Sequence, residues 1–397
     1  MTDRLYYVDP YVTAFDAQVL AVERLDDGRW AATLDRTAFY ATSGGQPFDT
    51  GTLGDVRVTD VVERDDGSIA HLVERELAPG PVHGRLDWAR RFEHMQQHTG
   101  QHVLSAVFDR VHQARTVSFH LGSGVSIIDL EPEVTGEQIA NAVGEANTIL
   151  WENRPVTIRF SDAAAAAGMP LRKESRRQGQ LRLIDIEGCD LSACGGTHVA
   201  RTAEVGAIVA PAWERYKRGT RVSFACGIRV LRHFDALRDI VSNAMRTLGA
   251  SATEIGSALE RQQSELKENR RAARTLQGKL AGFEAEALAS RAVAEGTRRH
   301  VLQAVDGWDA AGLKEIATGI AARAGYVAVL FSASLPANVV VARAADVDVD
   351  AASILRSLTS RFGGKGGGRP DLAQGGGLTG DLVAMLEFAR TAITAGA

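Results

Sequence analysis

Two short motifs constrain this chain more than any other feature: His98-Thr99-Gly100-Gln101-His102, and nearly a hundred positions later Cys194-Gly195-Gly196-Thr197-His198. The first lies where apolar and small residues recur at spacings of three and four (Trp88, Phe92, Met95, Thr99, Val103, Val107), which predicts a helix over Asp87–Val111. Four residues make a little more than one helical turn, so His98 and His102 leave the same face. In the second motif two glycines let the backbone fold so that thiolate and imidazole point at one centre. Three imidazoles and one thiolate suit zinc at about 2.0–2.3 Å. The expectation is one Zn2+ per chain on His98, His102, Cys194 and His198, which requires the helix and the loop to meet. Alternatives stay open: His94 lies four residues before His98, and Cys189 could replace Cys194 but lacks a histidine at the right spacing. Cys226, in an apolar strand, reads as core. Four protein ligands also leave no open position at four-coordination, which describes a structural site unless a ligand is displaced or the coordination expands.

The chain has 397 residues, enough for two or three domains. The first ninety read as short β-runs (Gln18–Val22, Trp30–Leu34, Val56–Val62, Ile69–Val73) separated by Asp/Gly turns, as in a small barrel. A second helix is expected near Thr135–Asn153, with strands near Val156–Phe160, Leu181–Ile186, Ala207–Pro211 and Thr220–Cys226. From Val230 to Arg299 the chain is charged, proline-free and rich in helix formers. One heptad register carries Leu259, Leu266, Ala273, Leu280 and Ala287, but half of its seam is polar, so a coiled coil and a helical hairpin are equal alternatives. Tyr326–Phe331 and Asn338–Ala342 read as buried strands, followed by a helix, a glycine-rich stretch at 363–377 and a last helix. The predicted fold class is α+β multidomain: a small N-terminal β-barrel (1–90), an α+β zinc-binding core (91–229), a helical connector (230–300) and a C-terminal α/β domain (301–397). Net charge is −4, so any RNA surface must be a local patch. No signal-peptide core and no apolar run of about 20 residues is present. With 3 cysteines, an odd and sparse count, these features lead us to expect a cytoplasmic protein without membrane contact.

HTGQHVLS at 98–105 together with CGGTHVART at 194–202 resembles the two metal-binding halves of the alanyl-tRNA synthetase editing domain, shared by the freestanding AlaX editing proteins. AFYATSGGQPFDTG at 38–51 resembles the glycine-rich stretch of the longer AlaX forms, and GGKGGGRPDLAQGGG at 363–377 resembles the DHHA1 domain. The resemblance runs along nearly the whole chain in the right order. An aminoacylation domain is not expected within these 397 residues. GGKGGGRP also lacks the Lys-Ser/Thr ending of a Walker loop, so no nucleotide is expected.

What the resemblance implies is a trans-editing hydrolase that deacylates Ser-tRNA(Ala), with Gly-tRNA(Ala) as a second substrate and zinc at the tRNA 3′ end. The alternative is a tRNA-binding protein with a structural zinc and no significant hydrolysis. Backbone N–H groups at Gly195 and Gly196 are candidate oxyanion donors; equally, these glycines only permit the turn. The synthetase commonly has threonine just before its second zinc histidine, where this chain has Gln101. Ser118 stands where the synthetase has glutamine, and Thr116 shares its strand face if the stretch is extended. Gln101 is therefore expected in the catalytic site, with Thr116, Ser118, Gly44, Gly45 and Gln46 as substrate contacts. RNA contacts are expected from Lys365 and Arg369 in the C-terminal domain and from Arg172 and Lys173, next to Arg176 and Arg177. A homodimer through the connector or the C-terminal domain is the expected assembly.

Overall fold

The computed structural model describes residues 2–122, 124–166, 168–172 and 179–395, so Lys173, Arg176 and Arg177 lie outside the described residues. The chain divides into two compact units, Met1–Asn243 and Ala244–Ala397.

The first unit begins with a closed six-stranded barrel. Its strands are β1 (Ala14–Arg24), β2 (Trp30–Leu34), β3 (Gly51–Leu53), β4 (Val56–Glu63), β5 (Ile69–Val73) and β6 (Gly80–Leu86), hydrogen-bonded in the order β1-β2-β5-β4-β3-β6. Period-two alternation drives the closure: Phe15, Ala17 and Val19 point into the core while Asp16 and Gln18 face out. The barrel leads directly into α1 (Trp88–His112), whose N-cap Asp87 accepts from the Arg90 N–H. This helix is buried along nearly its whole middle, from His94 to Phe108, and so acts as the shaft of the unit. An antiparallel sheet of β7 (Arg115–Leu121), β8 (Ser126–Glu131), β12 (Ile208–Tyr216) and β13 (Gly219–Cys226), together with α2 (Gly136–Trp151), packs around it. A capping box between Thr135 and Gln138 starts α2. A smaller sheet of β9 (Val156–Asp162), β10 (Gln180–Ile186) and β11 (Asp190–Ala193) delivers the chain to Cys194.

Two helices occupy the region read as a connector: α3 (Ile228–Leu248) and α4 (Ile255–Ser290). Gly249, at φ +60°, ends the first, and a capping box between Ser251 and Glu254 opens the turn into the second. The heptad seam is not a buried seam: Leu259, Leu266, Leu280 and Phe283 are exposed, while Ala281, Ala285, Leu288 and Ala289 are buried. Small side chains win because α4 packs closely on α5 (Ala310–Ala321), where a Cβ added at Gly319 would lie 3.1 Å from Ala285 Cβ.

The second unit is built on a mixed six-stranded sheet of β14 (Val293–Glu295), β15 (Arg298–Val305), β16 (Tyr326–Ser332), β17 (Ala337–Arg343), β18 (Lys365–Gly368) and β19 (Leu372–Leu378), in the order β14-β15-β16-β17-β19-β18. Only β15 and β16 are parallel, joined through α5. The runs YVAVLF and NVVVA are the central strands, and their alternate residues feed two cores. Val327, Val329, Val339 and Val341 face α6 (Ala351–Phe362) and α7 (Leu382–Ala395); Ala328, Leu330, Val340 and Ala342 face α4 and α5. The glycine-rich stretch is a hairpin at the sheet edge, with Lys365 opposite Gly376 and Gly367 opposite Gln374.

Candidate metal centre

Helix α1 and the loop after β11 meet. The ligand atoms of His98, His102, Cys194 and His198 all lie within 4.8 Å of one another. Cys194 Sγ is 3.4 Å from Nε2 of both His98 and His198. Each histidine presents Nε2 to the cluster because its Nδ1 is engaged elsewhere. His98 Nδ1 is 2.8 Å from Gln46 Oε1, His102 Nδ1 is 2.7 Å from Asp190 Oδ2, and His198 Nδ1 is 3.1 Å from Thr99 Oγ1. Asp190 is fully buried and held in turn by Arg172, whose Nε donates to Oδ1 at 2.6 Å. Partners of this kind orient imidazole ligands and raise their basicity.

The charges of the cluster favour a thiolate at Cys194. Burial alone would hold the Cys194 thiol neutral, but the imidazoles of His98 and His198 outweigh it and push its pKa well below the thiol range. Burial opposes charge on His102 as well, yet the bonds to Asp190 and Cys194 lift it to about 9. Burial resists ionisation of Asp190 too, and His102 and Arg172 hold that carboxyl well below its usual range. His198, buried beside His98, drops to about 3. A tetrahedral zinc with bonds of about 2.05 and 2.3 Å needs nitrogen and sulfur about 3.5 Å apart. The 3.4 Å separations match that edge, so the residues fit the ion.

The alternative ligands fall away. His94 and Cys189 are outside the cluster; burial pulls His94 down to about 3 and pushes Cys189 up to about 11. Cys226 is core, as read: its sulfur occupies the space beside Gly100, where an added Cβ would lie 2.4 Å away. Neither glycine of the second motif has positive φ, and close approach is what requires a glycine at 196. A Cβ at Gly196 would sit 2.1 Å from His98 Cε1. The Gly196 N–H points at Cys194 Sγ, 3.4 Å away, and the Gly195 N–H has no partner among the described residues.

A cavity of about 410 Å³ opens beside the cluster, within the usual range for a small-ligand site. Its wall includes His98, His102, Cys194, Gln101, Thr116, Ser118, Gly44, Gly195, Gly196 and Arg172. Gln101 is buried; one end of its side-chain amide is 2.8 Å from Ser105 Oγ and the other has no partner among the described residues. Thr116 donates to the same Ser105 oxygen, and Ser118 donates to Asp129, which pairs with Arg221. Gly45 and Gln46 do not line the cavity; Gln46 is fully buried behind it. Lys365 and Arg369 are exposed, and Arg369 pairs with Asp371.

Two residues escaped the sequence reading. Asp190 carries no signal beyond standing four residues before Cys194. Arg182 sits on β10 between the motifs, where its Nη1 donates to the carbonyls of Cys194 (2.7 Å) and Gly196 (2.9 Å) and its Nε to that of Tyr7. Alternating burial on a strand does not announce an inward arginine.

A closed barrel packed on a metal-ready histidine–cysteine core, followed by a mixed-sheet unit, defines a class, and comparison with known proteins agrees. Residues 181–221 match the "Threonyl and Alanyl tRNA synthetase second additional domain" and residues 298–395 the "DHHA1 domain". The chain is 30% identical to alanyl-tRNA editing protein AlaX-L of Pyrococcus horikoshii over 94% of each protein. It is 32% identical to the alanine–tRNA ligase of Pyrococcus abyssi and 35% to that of Natronomonas pharaonis, in both cases spanning 42% of the ligase. The solved C-Ala domain of Aquifex aeolicus alanyl-tRNA synthetase aligns with 26% of this chain at 22% identity and a TM-score of 0.25. The chain belongs to the alanyl-tRNA editing protein family.

Proposed function

We propose that this chain hydrolyses the ester of tRNA(Ala) wrongly charged with serine, at a zinc centre held by His98, His102, Cys194 and His198. One observation carries the choice of substrate: one end of the Gln101 side-chain amide is buried without a hydrogen-bond partner among the described residues, on a residue in the wall of the cavity beside the cluster. A seryl hydroxyl, which both donates and accepts, pairs with that amide end, and alanine leaves it unpaired at a cost of about 1–3 kcal/mol. Glycine lacks the hydroxyl as alanine does, so serine ranks above it. When bound, zinc supplies a fixed positive charge that orients the substrate beside the attacking water. The Gly195 N–H is the backbone donor free to meet the tetrahedral oxyanion. Arg182 holds the carbonyls on either side of it and so keeps that amide in place. Water adds to the ester carbonyl carbon, the bond to the ribose oxygen breaks, and that oxygen leaves with a proton.

Lys365 and Arg369, exposed on a glycine hairpin, are the proposed contacts to the tRNA body. Residues 1–90 and 91–229 form the editing module in this reading, with 230–300 as connector and 301–397 as tRNA-gripping domain. Exposed Leu231, Phe234, Leu237 and Ile240 on α3 support self-association as a homodimer. The second reading, tRNA binding with a structural zinc, draws on the four protein ligands already gathered round the centre.

Single-turnover deacylation of Ser-, Gly- and Ala-tRNA(Ala), with and without chelator, separates the two. We expect Ser-tRNA(Ala) to be hydrolysed fastest, Ala-tRNA(Ala) to be spared and chelation to abolish turnover. In Gln101→Leu the preference for serine over alanine should fall roughly 5- to 150-fold, the equivalent of about 1–3 kcal/mol. Equal rates on serine and alanine, or turnover that survives complete metal removal, would overturn the reading.

A further inference from the structure

We infer that Gln46 is a positioning residue for the metal centre: its side-chain amide sets the tautomer of His98 and ties the barrel's glycine loop to the Cys194–His198 turn. The inference rests on the metal site proposed above and not on its substrate. Gln46 is fully buried and makes three bonds. Its Oε1 accepts from the Thr197 backbone N–H at 3.0 Å, and its Nε2 donates to Thr197 Oγ1 at 2.8 Å. A backbone N–H can only donate, so it identifies Oε1 as the oxygen, which can only accept. His98 Nδ1, 2.8 Å from that same oxygen, must therefore carry a hydrogen. Neutral imidazole has one N–H, so the lone pair is on Nε2, the atom that faces Cys194 Sγ.

The loop that presents Gln46 is itself fastened on both sides. Gly45, at φ +85°, lies so close to β7 that an added Cβ would meet Phe119 Cε2 at 2.9 Å, and its carbonyl accepts from the Leu121 N–H at 3.0 Å. Three residues after Gln46, the fully buried Asp49 pairs with the fully buried Arg91, whose Nε donates to Oδ2 at 3.0 Å. Arg91 precedes His98 on α1 by seven residues, about two helical turns. One helix thus carries a ligand and, two turns away, the clamp for the loop that orients that ligand. The barrel is in this way part of the metal site and not only a neighbour of it.

The test uses the full chain. Zinc affinity is measured by competition with a chromophoric chelator, and the Co2+-substituted protein gives the ligand-field spectrum. Gln46→Leu should weaken zinc binding roughly 10- to 100-fold, the usual effect of losing such a partner, and should shift the Co2+ bands. Gln46→Glu keeps an acceptor for His98 and for the Thr197 N–H, and should restore affinity close to the parent. Parent-like affinity and spectrum in Gln46→Leu would overturn the inference, and so would an equal loss in Gln46→Glu. If Gln46→Leu does not fold, Thr197→Val, which removes only the Nε2 partner, should still weaken zinc in the same direction; unchanged affinity there counts against the inference. Zinc binding is read without tRNA, so tight binding with no deacylation would sink the substrate reading and leave this one standing.

Discussion

Two glycine-rich regions of this protein use the missing side chain in opposite ways. Around the histidine–cysteine cluster, glycine leaves room for another side chain. The Cβ positions of Gly196, Gly100 and Gly45 are taken by His98, Cys226 and Phe119. In the C-terminal hairpin, glycine leaves room for another backbone. A Cβ at Gly366 would lie 2.5 Å from Gly375 Cα, one at Gly368 2.4 Å from Ala373 Cα, and one at Gly364 2.5 Å from Gly376 O. The first region is buried and its polar groups are held by side chains from distant segments. The second is an exposed edge held by its own ladder, with Lys365 and Arg369 left to solvent. Glycine content alone signals neither a flexible linker nor a ligand loop; what fills the vacated space decides.

The comparison predicts unequal sensitivity. The largest effect should come from the clamp on the buried loop. Arg91→Met leaves the Asp49 carboxylate buried without its partner, and should cost about 3–5 kcal/mol in urea unfolding. A loss below about 1 kcal/mol would show the loop to be far less constrained than the hairpin comparison requires. Next, Gly196→Ala drives a methyl into His98 and should cost about 1–3 kcal/mol of thermal stability together with zinc affinity. Its hairpin counterpart Gly367→Ala, with nothing within 4 Å of the new methyl, should stay within about 0.5 kcal/mol of the parent. If both alanines behave alike, the contrast fails. The smallest effect concerns the exposed edge. Lys365→Ala should leave zinc affinity and folding intact and lower the salt-dependence slope of tRNA binding by about 1. An unchanged slope would remove Lys365 from the RNA surface.

Much of this was legible in residue patterns. Asp87 and the period of three to four residues locate α1 to within a residue at each end, because capping and burial are local demands. The central strands of the second unit follow from uninterrupted apolar runs. The long helical stretch was harder. Leucines at heptad spacing compete there with alanines four apart, and burial went to the alanines, since only small side chains admit the close approach of α5. Gln46 read as a substrate contact with its glycine-rich stretch; its actual neighbours lie 52 and 151 positions away. Arg172 read as part of an RNA patch and is turned instead onto Asp190.

Composition and spacing were sufficient to name the residue types of the cluster, the helical face that pairs two histidines and the order of secondary-structure regions along the chain, all of which depend on near neighbours. Which atoms brace those imidazoles, which amide end lacks a partner among the described residues and which space each glycine vacates came only with folding. Those are contacts between segments brought together by burial, and a linear string carries no distance between them.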